Sequence, residues 1–110
     1  MGALILKEKD VLHAVRDYLR VQGFYTIRHQ ASMGSHEGLC DLQAVKDGYT
    51  FYIETKATNG RLSPGQMKFI DAMADHGITV YVVRDVSELD AILYNLFQEG
   101  KIKTYQRGLF

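Results

Sequence analysis

The stretch Gly38-Leu39-Cys40-Asp41-Leu42-Gln43-Ala44-Val45-Lys46-Asp47-Gly48-Tyr49-Thr50-Phe51-Tyr52-Ile53-Glu54-Thr55-Lys56 reads as two strands joined by a two-residue turn. Asp-Gly between such runs is the strongest short-range hairpin signal, and a turn of this kind fixes the pairing register. If Lys46 pairs with Tyr49, Asp41 falls directly opposite Glu54 on the same face, with Cβ atoms about 5 Å apart. Two carboxylates that close repel, and a hard divalent cation is the simplest group that compensates converging oxygen ligands. Lys56 stands two residues beyond Glu54, so the strand period of two brings its ammonium to that face as well. An aspartate, a glutamate and a lysine therefore converge on one spot.

Outward from the hairpin the hydrophobic period changes cleanly. Residues 7–22 carry Val11, Leu12, Val15, Tyr18 and Leu19 at helical spacing, with the polar Gln22 ending the stripe before Gly23. Residues 24–29 read as a strand, and residues 30–38 as a loop leading into the hairpin. After Lys56 comes a second loop through Arg61. Ser63-Pro64-Gly65-Gln66 then opens a helix with its cap, its first-turn proline and a glutamine at the third position, and Gly77 closes it. Residues 78–84 form a near-continuous apolar strand of the kind buried on both faces. Asp85 and Glu88 cap a last helix with Val86, Leu89, Ile92, Leu93, Leu96 and Phe97 inward, stopped at Gly100. Residues 101–105 suit an edge strand. The order α-β-β-β-α-β-α-β predicts an α/β fold, a mixed central sheet flanked by helices.

With 110 residues, 46% of them hydrophobic and 24% charged, the chain reads as one ordinary globular domain spanning 1–110. A single cysteine, Cys40, excludes an internal disulfide and suits a reducing cytosol, where Cys40 serves as a small buried strand residue. The opening Met1 to Leu6 is too short for a signal or membrane segment, and Leu6 stands where a myristoylation motif wants Ser or Thr. The net charge of zero hides a division. Residues 1–68 carry nine Lys or Arg against seven acids, residues 69–99 one against six, and residues 100–110 three against none. If Asp41, Glu54 and a third acid bind metal, the N-terminal two thirds presents a positive surface; otherwise these charges are solvated helix faces.

Glu8 lies three and four residues before Val11 and Leu12 and so extends the apolar stripe of the first helix. An acid there wants a partner, though first-turn acids also favour the helix dipole. The four histidines lack zinc-ligand spacing, and neither a nucleophile elbow nor a glycine-rich phosphate loop is present. Tyr49, Tyr52 and Tyr81 belong to sheet packing rather than base stacking.

Glu8, then Gly38-x-x-Asp41, then Glu54-x-Lys56, then Leu62-Ser63-x-x-Gln66 resembles the signature of the virus-type replication-repair nuclease (VRR-NUC) domain, a branch of the PD-(D/E)XK nuclease superfamily. The resemblance covers nearly the whole chain. One departure is visible: Cys40 stands where the superfamily pattern has proline before the aspartate, with its side chain on the opposite face. The resemblance implies a PD-(D/E)XK nuclease-like fold and hydrolysis of DNA phosphodiester bonds with Mg²⁺ or Mn²⁺. Asp41, Glu54 and the Thr55 backbone carbonyl would be ligands, with Glu8 binding directly or through water. Lys56 would orient the attacking water and offset phosphoryl charge. Two roles are open to Gln66, a place in the site and a capping box with Ser63. Arg28, His29, Ser32, Ser35, Arg61 and Lys68 are candidate phosphate contacts.

Small stand-alone members of this class resemble Holliday-junction resolvases in working as homodimers, since two sites cut two strands symmetrically. The sequence is therefore expected to encode an endonuclease for branched DNA that needs no small-molecule cofactor beyond metal. The alternatives are a restriction-type, single-strand or flap nuclease on the same fold, or a nucleic-acid binding module without catalysis. Leu4, Ile5, Leu109 and Phe110 are the apolar candidates for a dimer face.

Overall fold

The computed structural model describes residues 5–30 and 36–108. At its centre the hairpin forms as its turn dictates. Asp47 and Gly48 take φ of 55° and 78°, the left-handed pair whose twist matches that of the flanking strands. Strands β2 (Leu42–Lys46) and β3 (Tyr49–Thr55) then pair antiparallel, from Lys46 opposite Tyr49 to Leu42 opposite Ile53, the register expected.

Strand β1 (Tyr25–Arg28) adds antiparallel to β2, and β4 (Val80–Val83) adds parallel to β3, giving a mixed four-stranded sheet in the order β1-β2-β3-β4. The parallel pair needs a crossover, which helix α2 (Pro64–Asp75) supplies. Helices α1 (Glu8–Val21) and α3 (Val86–Gln98) complete an α/β fold. Among the described residues no helix is long and apolar enough to cross a membrane.

The apolar stripe of α1, together with Leu89, Leu93 and Leu96 of α3, packs against Leu42, Ala44, Phe51, Ile53 and Val83 of the sheet. Phe51 is wholly buried and meets Phe24 and Tyr81 edge-on, each at 5.6 Å between ring centroids. Each such side chain contributes about 1.5–3 kcal/mol through burial, so the hairpin is anchored by its odd-numbered face in β3 and its even-numbered face in β2. The opposite face carries Gln43, Tyr52 and Glu54, and the site is built there.

Three expectations need correction. Residues 101–105 form no strand, because their backbone groups are engaged by side chains from the hairpin. Lys46 Nζ donates to Thr104 O at 3.0 Å, and Lys103 N donates to Asp47 Oδ2 at 2.8 Å, while Ile102 sinks into the core. In α3, Phe97 is exposed rather than inward, and Ile92 is half-buried against the core. In β4 only Val80 and Val83 are fully buried. Helix α2 buries no residue completely, with Phe69, Ile70 and Met73 half-buried along it.

Candidate active site

Glu54 is the centre of the site. It lies on the face of β3 away from the main core, yet only 2% of it is exposed. Gln66 covers it from the start of α2, with Nε2 donating to Glu54 Oε1 at 2.9 Å. The other end of the same amide holds the helix. Gln66 Oε1 accepts from Ser63 N at 2.8 Å while Ser63 Oγ accepts from Gln66 N at 3.1 Å, a complete capping box. The two roles open to Gln66 are thus compatible, since oxygen and amide nitrogen face different partners.

Asp41 stands one residue ahead of β2, where the hairpin register sets it opposite Glu54. Its Oδ2 accepts from Thr55 N at 2.7 Å and from Thr55 Oγ1 at 2.9 Å. The resemblance gives Thr55 a role through its backbone carbonyl. Its amide and hydroxyl also orient the aspartate. Burial first, then the charge of Asp41 and a hydrogen bond with it, push the Glu54 carboxyl from an ordinary 4.5 up to about 8, against the lowering influence of Lys56. The direction of this shift shows that a second negative charge beside Asp41 is disfavoured at Glu54, a penalty that a proton or a cation relieves.

Lys56 extends β3 through its N–H to Val83 O at 3.0 Å, and its Nζ lies 3.4 Å from Glu8 Oε1. The lysine side chain is 12% exposed and the glutamate 52%, so Glu8 sits on the rim rather than within the apolar stripe. Its placement has a local cause. Thr58 N donates to Leu6 O at 3.1 Å and Leu6 N donates to Thr58 Oγ1 at 2.7 Å, stapling the approach to α1 onto the segment after Lys56. That segment is fixed in turn by Arg84, whose Nη1 donates to Ala57 O and Gly60 O.

Gly38 explains how α2 reaches the hairpin. It has φ of +74°, and a Cβ there would lie 2.2 Å from Gly65 O and 2.9 Å from Gln66 N. Backbone meets backbone at this point, and only glycine permits it. Glu54, Asp41, Lys56, Glu8 and Gln66 are all brought together. Arg28, Arg61 and Lys68 are exposed on β1, the loop after β3 and α2, while Ser32 and Ser35 lie outside the described residues. His29 is occupied by Cys40 O at 3.0 Å. Cys40 is buried, and burial pushes its thiol up to about 12, which leaves it inert.

The donors suit a hard cation, being carboxylate and carbonyl oxygens beside a buried acid. Two carboxylates meet closely, with the third turned to Lys56; among the described residues no group of three or more His, Cys, Asp or Glu is arranged as a ready metal cage.

A solved structure described as a VRR_NUC domain protein superposes on the chain with a TM-score of 0.70, covering 86% of this chain and 91% of that one at 22% identity. The likeness is one of fold. No curated protein matches the chain. The VRR-NUC domain family model matches residues 25–86, which is more than half of the chain and runs from the first residue of β1 to the first of α3. It spans Asp41, Glu54, Lys56 and Gln66 but not Glu8, and the chain belongs to the VRR-NUC domain family, a nuclease-type domain.

Proposed function

We propose that the protein is a divalent-metal-dependent endodeoxyribonuclease that hydrolyses phosphodiester bonds in branched DNA as a homodimer. The observation that carries this reading is the buried Glu54, with the Gln66 amide and Asp41 directly against it. Asp41, Glu54 and the Thr55 carbonyl would hold Mg²⁺ or Mn²⁺, with Glu8 completing the shell from the rim. When bound, the ion supplies Lewis-acid compensation for charge on the phosphate and lowers the pKa of water.

The remaining residues act around it. Thr55 fixes one Asp41 oxygen, and Gln66 fixes one Glu54 oxygen, so the two carboxylates are oriented before a phosphate arrives. Lys56, held in place by Glu8 and by its backbone bond to β4, orients the attacking water and offsets phosphoryl charge. Arg28, Arg61 and Lys68 contribute phosphate contacts around the site. A symmetric cut across a branch needs two such sites related by a twofold axis, and β1 offers the face for it. Val21, Tyr25 and Ile27 are exposed beside a sheet edge that has no strand partner among the described residues.

The test is a cleavage assay on linear, flapped and four-way DNA. Mg²⁺ or Mn²⁺ should support cutting, Ca²⁺ should support binding without turnover, and chelator should abolish cutting. Lys56→Ala should reduce turnover about a hundredfold or more in a protein that still folds. Full cleavage in excess chelator would remove the metal from the mechanism.

A further inference from the structure

Beside the site, the residues leading into β2 and the first two turns of α2 enclose a cavity of about 340 Å³ lined by His36, Glu37, Gly65, Lys68, Phe69 and Ala72. The four helical residues have the spacing of a single face, and no core covers it, since α2 has no fully buried residue. His36 and Phe69 stand at 64° to one another with centroids 5.6 Å apart, forming two walls of a corner. The Glu37 side chain lies across Gly65, where a Cβ would come within 3.1 Å of Glu37 Oε1. The partial positive charge of the helix start favours a carboxylate there. Gly65 immediately precedes Gln66, whose amide rests on Glu54. The cavity and the candidate active site are therefore joined through one peptide.

Resting on the nuclease reading above, we infer that this cavity seats an unpaired nucleobase of the substrate, next to the phosphate being cut. The space suits one flat ring system, Phe69 gives it a face to stack on, and Lys68 reaches a flanking phosphate. Glu37 accepts from an exocyclic amine on the base edge, which guanine, adenine and cytosine carry and thymine lacks. A protein helix fits the cavity less well. Along α2 the neighbours of Phe69 include Lys68 and Asp71, both exposed, so the helix offers no long apolar stripe. On this reading Phe69 and Glu37 set which nucleotide may lie beside the cut.

A flapped duplex carrying 2-aminopurine in turn at each unpaired position near the branch tests this in Ca²⁺. Stacking should quench the fluorescence at one position. Phe69→Leu, which keeps apolar bulk but removes the ring, should weaken the quenching titration about tenfold or more while the melting temperature is held. Glu37→Gln should reduce discrimination against thymine at the same position. Quenching at no position, or undiminished quenching in folded Phe69→Leu, would overturn the inference. Cleavage of the same substrates in Mg²⁺ separates the two claims: a protein that quenches without cutting keeps the base site and loses the nuclease reading. One that cuts without quenching does the reverse.

Discussion

Gln66 divides its amide between two tasks, and conservative substitutions can separate them. Gln66→Glu keeps an oxygen for Ser63 N but places a second acid against Glu54, so the cap should survive while turnover falls steeply. Gln66→Ala loses both contacts and should also cost the helix roughly 1 kcal/mol. Equal melting temperatures for the two variants would show that the cap contributes little. Glu54 makes a second prediction, because its carboxyl is raised from 4.5 to about 8. The folded protein then holds a proton that the unfolded chain has released. That stabilisation is complete below the ordinary pKa and is lost as pH climbs through 8. The melting temperature of metal-free wild type, taken relative to Glu54→Gln, should therefore decline from about pH 4.5 to 8. Saturating Mg²⁺ should flatten the decline, since the ion replaces the proton. A difference that stays constant with pH would mean that Glu54 titrates as a surface carboxylate does.

At the scale of elements, the hairpin was legible because its information is local: Asp47-Gly48 sets the turn, the turn sets the register, and the register places Asp41 and Glu54. Helix α2 was legible at its N-terminus for the same reason, through Ser63, Pro64 and Gln66. What brings α2 to the hairpin was not, because Gly38 and Gly65 are 27 residues apart in sequence and touch only through backbone. Residues 101–105 misled for a related reason. Their alternation is strand-like, but strand formation needs a free edge, and Lys46 and Asp47 engage those backbone groups first. Gln22 hid its role likewise: it looks like the polar end of a stripe, yet it is buried with bonds to Tyr18 and to both backbone groups of Gln106. Gly38→Ala is the prediction at this scale. Positive φ alone costs about 1–2 kcal/mol for an alanine, and the clash with Gly65 would push the helix start away from the sheet. Turnover should therefore fall by more than the loss of stability accounts for, and hydrogen exchange should increase at the start of α2 while β2 and β3 stay protected. Unchanged exchange there would show that α2 is held elsewhere.

For the whole molecule, the charge division has a different meaning from a simple acidic back. Of the six acids in residues 69–99, Asp85 caps α3, Glu88 accepts from Arg84 N, and Asp90 accepts from the hydroxyls of Tyr18 and Tyr105. Half of those acids are thus structural rather than a solvated face, although each keeps its charge because its donors are neutral. The surface anomaly is apolar and lies at β1. Of the residues expected to form a dimer face, Leu4, Leu109 and Phe110 lie outside the described residues, and Ile5 is exposed. Tyr25, 70% exposed, and Ile27 share one side of the edge strand, with Val21 close behind at the end of α1. Unprotected edges invite pairing with another chain, and a second copy related by a twofold axis would extend the sheet across both subunits. Tyr25→Lys combined with Ile27→Lys should convert a dimer into a monomer by light scattering. Paired cuts in a four-way junction should then be lost, while cleavage of a single flap persists. Junction binding by the wild type should also weaken steeply with salt, because its contacts are mainly to phosphate. If the wild type is itself a monomer that cuts flaps and leaves junctions intact, the dimeric resolvase reading fails, and the site's chemistry stands without it.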